Sequence, residues 1–242
     1  MNHYDVQDEA YSEGLGCREC GYEGHCFPVD LDQYYGLAAE MGTDASISGS
    51  NTYVSGYKPF WRPESPEDMR SKGDPTLPYA FLVDSRGRTE GLLHLHRGSG
   101  YCRDVVVLHA QDTPSEFIRY LDDRHYPHHA FGNGHVDLSA ALTFIASHYD
   151  VKCLRVDAGG ILISELLRQG LCDELLLLVH PCITGDSLDN EEGGTLKETA
   201  EGHLMTGSPR PLFTPGLQTK GLFLIGTEEL SQGKMLIHYS VI

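Results

Sequence analysis

One stretch limits what this chain can fold into more than any other: Val151 to Gly185, VKCLRVDAGGILISELLRQGLCDELLLLVHPCITG. Val151 to Val156 is β-branched and apolar, and Asp157, Ala158, Gly159 and Gly160 break it. Ile161 to Gln169 then repeats apolar residues at helical spacing, with Ile161, Leu162, Glu165, Leu166 and Gln169 near one face and Gly170 as the stop. Glu174 to Val179 is nearly all leucine, as a strand buried on both faces is. Strand, glycine turn, helix and strand read together as a βαβ unit, so Val151–Val156 and Glu174–Val179 are expected to be parallel neighbours in one sheet.

The chemistry of this stretch lies in its turn. Gly159 and Gly160 lack a Cβ, so a ligand can come close to the backbone. The N–H groups of Ile161 and Leu162 open the helix and carry a partial positive charge, which suits a phosphate. Asp157 stands at the carboxyl end of the preceding strand, where open α/β sheets bind their ligands. A plainer reading stays open on local pattern alone: two glycines that only make a tight turn.

At 242 residues the chain is long enough to bury a proper core, and its hydrophobic content of 40% is that of a globular protein. No apolar run approaches the length of a membrane span, and MNHYDVQDEA does not resemble a signal peptide, so a cytoplasmic protein is expected. The formal net charge of −17 disfavours nucleic acid and anionic membranes as partners. A phosphorylated ligand would need a local basic patch. Seven cysteines without a framework read as thiols, with Cys153, Cys172 and Cys182 in core-like segments.

The first 30 residues carry no apolar strand-like run and form an atypical arm before a domain over 31–242. Within the arm, Cys17-x2-Cys20-x4-His25 begins like a zinc knuckle, but Asp30 occupies the place of the final cysteine, so no metal is expected. Leu31 to Met41 reads as a helix capped by Asp30 and ended by Gly42, and Asp44 to Ser48 as a strand. Gly49-Ser50-Asn51-Thr52 by itself is a polar turn with a capping Ser or Thr. Tyr53 to Leu77 is loop-like and proline-rich, and gathers Lys58, Arg62, Arg70 and Lys72 in an otherwise acidic chain.

Pro78–Asp84 and Asp104–His109 read as strands. Thr113 is expected to cap a helix over Pro114–Arg124, and His128–Phe131 is a short strand. His94 and His96 would share one face of a strand, and with no third ligand nearby they read as surface histidines. Val136–Tyr149 is an amphipathic helix. Leu217–Leu230 and Lys234–Val241 alternate as an antiparallel hairpin turning at Gln232-Gly233.

Several of these landmarks together resemble the pyrimidine reductase of riboflavin biosynthesis. They are Val136-Asp137-Leu138, Asp157-Ala158-Gly159-Gly160, Gly170-Leu171-Cys172-Asp173-Glu174 and Pro181 to Gly185, each at the family's spacing. The family's D-A-x-x-x-G-x-x-T is matched by Asp44, Ala45, Gly49 and Thr52, and its V-D-S-x-G-R by Val83 to Arg88. Its opening strand, which ends in S-x-D-G, has no counterpart here, and this places the activity of the chain in question.

The resemblance implies a dihydrofolate-reductase-like α/β fold: a three-layer domain with a central mixed, mostly parallel sheet and a C-terminal antiparallel hairpin. It implies NADPH as cofactor, contacted by Gly49, Thr52, Ser85, Ala158, Gly159, Gly160, Ile161 and Leu162. It implies an aminopyrimidine ribose phosphate as substrate, oriented by Asp157, with Lys58 and Arg62 as candidates for holding its phosphate, and a homodimer as the working assembly. No residue stands out as a general acid. Two other readings stay open: a dihydrofolate-reductase-like enzyme acting on another substrate, and a non-catalytic member that binds nucleotide or serves as a dimeric scaffold.

Overall fold

The computed structural model describes residues 31–68, 74–179, 213–214 and 216–242. Cys17, Cys20, His25, Cys26, the cap at Asp30, Arg70, Lys72, Cys182 and the Pro181–Gly185 landmark lie outside the described residues.

Strands β1 (Ala45–Gly49), β2 (Tyr79–Val83), β3 (Val105–His109), β4 (His128–Ala130) and β5 (Leu154–Val156) form one sheet in the order β4-β3-β2-β1-β5. Every pairing in it is parallel. Strands β6 (Glu174–Val179), β7 (Leu222–Glu229) and β8 (Met235–Val241) form a second, antiparallel sheet in the order β6-β8-β7. The fold is the expected dihydrofolate-reductase-like α/β class, with parallel and antiparallel pairs divided between two sheets.

The parallel sheet is central because its strands are apolar on both faces. All five residues of β3, VVVLH, are buried, and burying each valine or leucine stabilises the fold by about 1.5–3 kcal/mol. On one face Ala45, Ile47, Phe81, Val106 and Leu108 meet Leu138, Ala141 and Ile145 of helix α5 (Leu138–His148) and Leu162 and Leu166 of helix α6 (Gly160–Arg168). On the other, Ala80, Leu82, Val105 and Val107 meet Tyr53 of α2 (Ser50–Tyr57), Leu93 of α3 (Leu93–Gly98) and Phe117, Tyr120 and Leu121 of α4 (Ser115–Asp123). Helix α1 (Leu31–Glu40) precedes β1 and ends one residue short of Met41, with Gly42 at φ +66° beyond it.

Five expectations are corrected. Val151–Val156 and Glu174–Val179 are not parallel neighbours. β5 is shorter, Leu154–Val156, and pairs with β1, Leu154 opposite Ala45, whereas β6 pairs antiparallel with β8. Helix α6 therefore carries the chain from one sheet to the other, and the leucines of β6 are half-buried. The Gly49–Thr52 segment is not a turn: it opens α2, which has Gly49 as N-cap and no side-chain cap. Thr113 does not cap α4, because its Oγ1 donates to the Ser85 carbonyl at 3.0 Å and accepts from the Ala110 N–H at 3.1 Å. His94 and His96 lie on a helix, not a strand, and are not surface residues. His94 is buried, with Nε2 at 2.9 Å from the Arg62 carbonyl. Ile161 does not join the packed face of α6 but is 66% exposed at its first turn.

Candidate functional site

Two neighbouring strands send their chains to opposite faces of the sheet. After β1 the chain turns into α2 on one face, and after β5 into α6 on the other. This leaves a crevice beyond the carboxyl ends of β1 and β5, the switch point at which open α/β sheets bind ligands. Gly49 and Thr52 form one lip, and Asp157 to Leu162 the other.

The Asp157 lip is held by its backbone. The Asp157 N–H donates to the Ile47 carbonyl at 2.9 Å, and the Ser48 hydroxyl donates to the Asp157 carbonyl. The Gly159 N–H donates to Thr52 Oγ1 at 2.9 Å. A Cβ on Gly159 would stand 3.3 Å from that oxygen, so glycine permits the close approach. A Cβ on Gly49 would meet Leu162 at 3.8 Å, so the first turn of α6 packs directly on the end of β1.

Helix α6 has Gly159 as N-cap and no side-chain cap. Its first intrahelical bond runs from the Ile163 N–H to the Gly159 carbonyl. The N–H groups of Gly160, Ile161 and Leu162 have no acceptor within the helix, and they point at the crevice with the positive end of the helix dipole behind them. The residues fit a phosphate there: three donors, no side-chain cap bonded to them, and an ordinary backbone at Gly159 (φ −72°).

The carboxylate of Asp157 lies 3.5 Å from the guanidinium of Arg155, both partly exposed. On the same face, the His96 ring stacks on Tyr57 at 5.1 Å and tilts against Tyr53 at 5.5 Å. Burial, and then the charge of Arg155, push the His96 imidazole down to about 4, so it is neutral at physiological pH. Arg155 and Ser48 were not found by reading the sequence, and His96 was read there only as a surface histidine. A charge beside Val156 at the end of the apolar run was the available signal for Arg155; nothing local distinguished Ser48.

The crevice extends to the end of β2. The buried carboxylate of Asp84 accepts from the N–H groups of Arg86 and Thr89 and from the Thr89 hydroxyl. Gly87 has φ +68°, and a Cβ there would strike the Phe117 ring at 2.8 Å, so only glycine closes this turn. Ser85 Oγ accepts from the Val136 N–H at 3.2 Å. The Arg88 guanidinium donates to Asn51 Oδ1, which joins this turn to the first turn of α2.

The structure thus brings Gly49, Thr52, Asp157, Ala158, Gly159, Gly160, Ile161 and Leu162 together, with Ser85 on the adjacent strand end. Lys58 is not in this group. It lies at the far end of α2 in a short 3-10 turn, about 12 Å along the helix from Ser50. The Arg62 fork grips Asp68 at 2.6 and 2.7 Å and closes its own loop. That guanidinium holds the Asp68 carboxyl well below the usual carboxylate range.

A sequence profile described as the RibD C-terminal domain matches residues 38–201, from α1 through β6 and so across both lips of the crevice. The chain belongs to the RibD C-terminal domain family. No curated protein matches it. Among solved structures it is similar to a pyrimidine reductase-like protein from Corynebacterium diphtheriae, at 17% identity and a TM-score of 0.59, covering 92% of this chain and 85% of that one. It is also similar to the Saccharomyces riboflavin biosynthesis reductase Rib7, at 12% identity and a TM-score of 0.53, covering 88% and 81%. Acinetobacter baumannii RibD matches at 15% identity and a TM-score of 0.54; there 87% of this chain spans 50% of the other. At such identities these likenesses bear on the fold, and membership of the RibD C-terminal domain family rests on the profile.

Proposed function

We propose that this chain is an NADPH-dependent reductase of the riboflavin-biosynthesis type, which reduces the ribosylamino group of an aminopyrimidine ribose phosphate to a ribitylamino group. The observation that carries the reading is the uncapped N-terminus of α6 beside Asp157, at the switch point between β1 and β5. Membership of the RibD C-terminal domain family supplies the reaction class.

In this reading the N–H groups of Gly160, Ile161 and Leu162 hold the cofactor pyrophosphate. Ala158 and Gly159 allow it close to the backbone, and Gly49 and Thr52 form the opposing wall. Ser85, on the neighbouring strand end, would be a further contact to the cofactor. The cofactor, when bound, supplies the hydride. Asp157 accepts hydrogen bonds from the substrate and sets its orientation, with Arg155 holding the carboxylate from below. Lys58 and Arg62 remain the candidates for the substrate phosphate, and Arg62 would have to share its fork with Asp68.

The working form in this reading is a cytoplasmic homodimer. Among the described residues strand β7 is an edge strand, on which Leu222, Phe223, Leu224 and Ile225 are all exposed. An unpaired apolar edge is a liability that a second copy removes. Among the described residues no helix is long and apolar enough to cross a membrane.

The test is an NADPH fluorescence titration followed by NADPH oxidation in the presence of the ribosylaminopyrimidine phosphate. Micromolar binding with turnover supports the reading; absence of NADPH binding overturns it. A second reading, a non-catalytic nucleotide-binding member, is favoured by the outer edge of β5, which pairs with no strand among the described residues. Binding without turnover on this substrate would select it, or a reductase of another substrate.

A further inference from the structure

The ends of β3, β4 and α4 are joined by a chain of hydrogen bonds through two histidines. His109 Nδ1 lies 2.9 Å from the Ala110 carbonyl. His109 Nε2 lies 3.0 Å from His128 Nδ1. His128 Nε2 lies 3.1 Å from Asp122 Oδ1, in the last turn of α4.

The proton inventory of this chain follows from its two ends. A carbonyl and a carboxylate only accept, so His109 Nδ1 and His128 Nε2 both carry hydrogen. The bond between the rings needs one more. Three hydrogens on four ring nitrogens is one more than two neutral imidazoles hold. We infer that His109 and His128 share a single extra proton and act as a pH-sensitive latch, fastening the edge strand β4 and the end of α4 to β3 most tightly when the pair holds one such proton.

The surroundings place that proton. His109 is buried, and burial pushes its ring down, while the Asp122 carboxylate stands at the His128 end of the pair. A positive ring there also opposes the negative end of the α4 dipole. The other ionisable groups facing the pair are His129 on β4 and, beyond it, His148 and Tyr149 at the end of α5. Burial and these neighbouring imidazoles push His129 down as well.

Both directions of pH loosen the latch. A second extra proton sets two N–H groups and two positive rings against each other. Loss of the first leaves two hydrogens for three bonds, so a ring lone pair faces either an acceptor oxygen or the other ring's lone pair. The latch is therefore strongest at an intermediate pH, and its two limbs belong to the pair. It has a route to the crevice, because Ala110, which accepts from His109, also donates to Thr113 Oγ1, and that hydroxyl holds the Ser85 carbonyl.

Thermal melts of the parent, His109→Gln, His128→Gln and the double variant, taken at intervals from about pH 5 to about pH 9 around the imidazole range, measure the coupling between the two positions. The coupling should rise to a maximum and fall at least threefold on either side. Asp122→Asn, at an exposed position, should move the alkaline limb to lower pH. Nitrogen-15 spectra of the parent's rings read the same proton directly and do not depend on any variant folding. Three protonated ring nitrogens at the pH of maximum coupling support the latch. A coupling flat in pH, or two neutral rings across the whole range, overturns it.

Discussion

Thr52, in the first turn of α2, accepts the backbone N–H of Gly159 at 2.9 Å and so ties the two helices that flank the crevice to one another. The partners are more than a hundred residues apart in the chain. Because the oxygen is already an acceptor, its own hydrogen is directed elsewhere, as a donor available to a ligand.

Thr52→Val removes this clasp while keeping the shape. Loss of one such bond costs about 1 kcal/mol, or about 2–4 °C in Tm for a domain of this size. NADPH should bind several-fold more weakly. Thr52→Ser restores the hydroxyl and should recover both quantities. A valine variant that melts and binds like the parent would show that the clasp is incidental.

Gly160→Val puts a branched side chain at the first position of α6, where the cofactor oxygens approach. Gly160 is not among the glycines with positive φ, so the backbone accepts an L-residue and the fold should survive. Cofactor affinity should fall at least tenfold, about 1.4 kcal/mol. Asp157→Asn is nearly isosteric and should impair turnover far more than NADPH binding. Titrations and melts of both variants check this; a Gly160→Val protein that folds and binds NADPH normally would reduce the turn to a connection.

The His96 ring makes stability depend on acid. Its folded value is pushed down to about 4, against the ordinary imidazole value of 6.5. Between those two values the unfolded chain takes up a proton that the folded protein refuses. The contribution of His96 is thus fully present above about pH 6.5 and is lost progressively as pH falls toward about 4. Melts of His96→Asn beside the parent should show a shallower decline through this window, and equal slopes would contradict the assignment.

The exposed run on β7 predicts association. Sedimentation at micromolar concentration should give a dimer of the 26.8 kDa chain. Phe223, 67% exposed, carries much of that surface, and Phe223→Glu should shift the species toward monomer without lowering Tm by more than a few degrees. A parent that sediments as a monomer removes the basis for pairing through this edge.

Much of the crevice was legible in the sequence because its parts are local. A β-branched run broken by Asp157 and two glycines, then a helix stopped at Gly170, states its own geometry within a few residues, and the structure has Gly170 at φ +69° beyond α6. Gly87 likewise marks a turn that no other residue closes. His94 and His96 were misread because their alternation suits a strand as well as one turn of helix, and the groups that meet them, Arg62, Tyr53 and Tyr57, come from another part of the chain.

By itself, then, the sequence determined the modules: most of the strands, where glycine must turn the chain, and that a helix opens behind the turn at Asp157. Only the tertiary structure decided the pairings. β5 lies against β1 and β6 against β8, although β5 and β6 are joined by a single helix. A strand's partner is chosen by which backbone edges become available once distant segments have packed, and a leucine run looks the same beside any of them. The site follows the same rule. Asp157 and Gly159 were visible as a turn, but Ser48 and Thr52 reach them from the end of β1 and the start of α2, through contacts that exist only after β1 and β5 have paired.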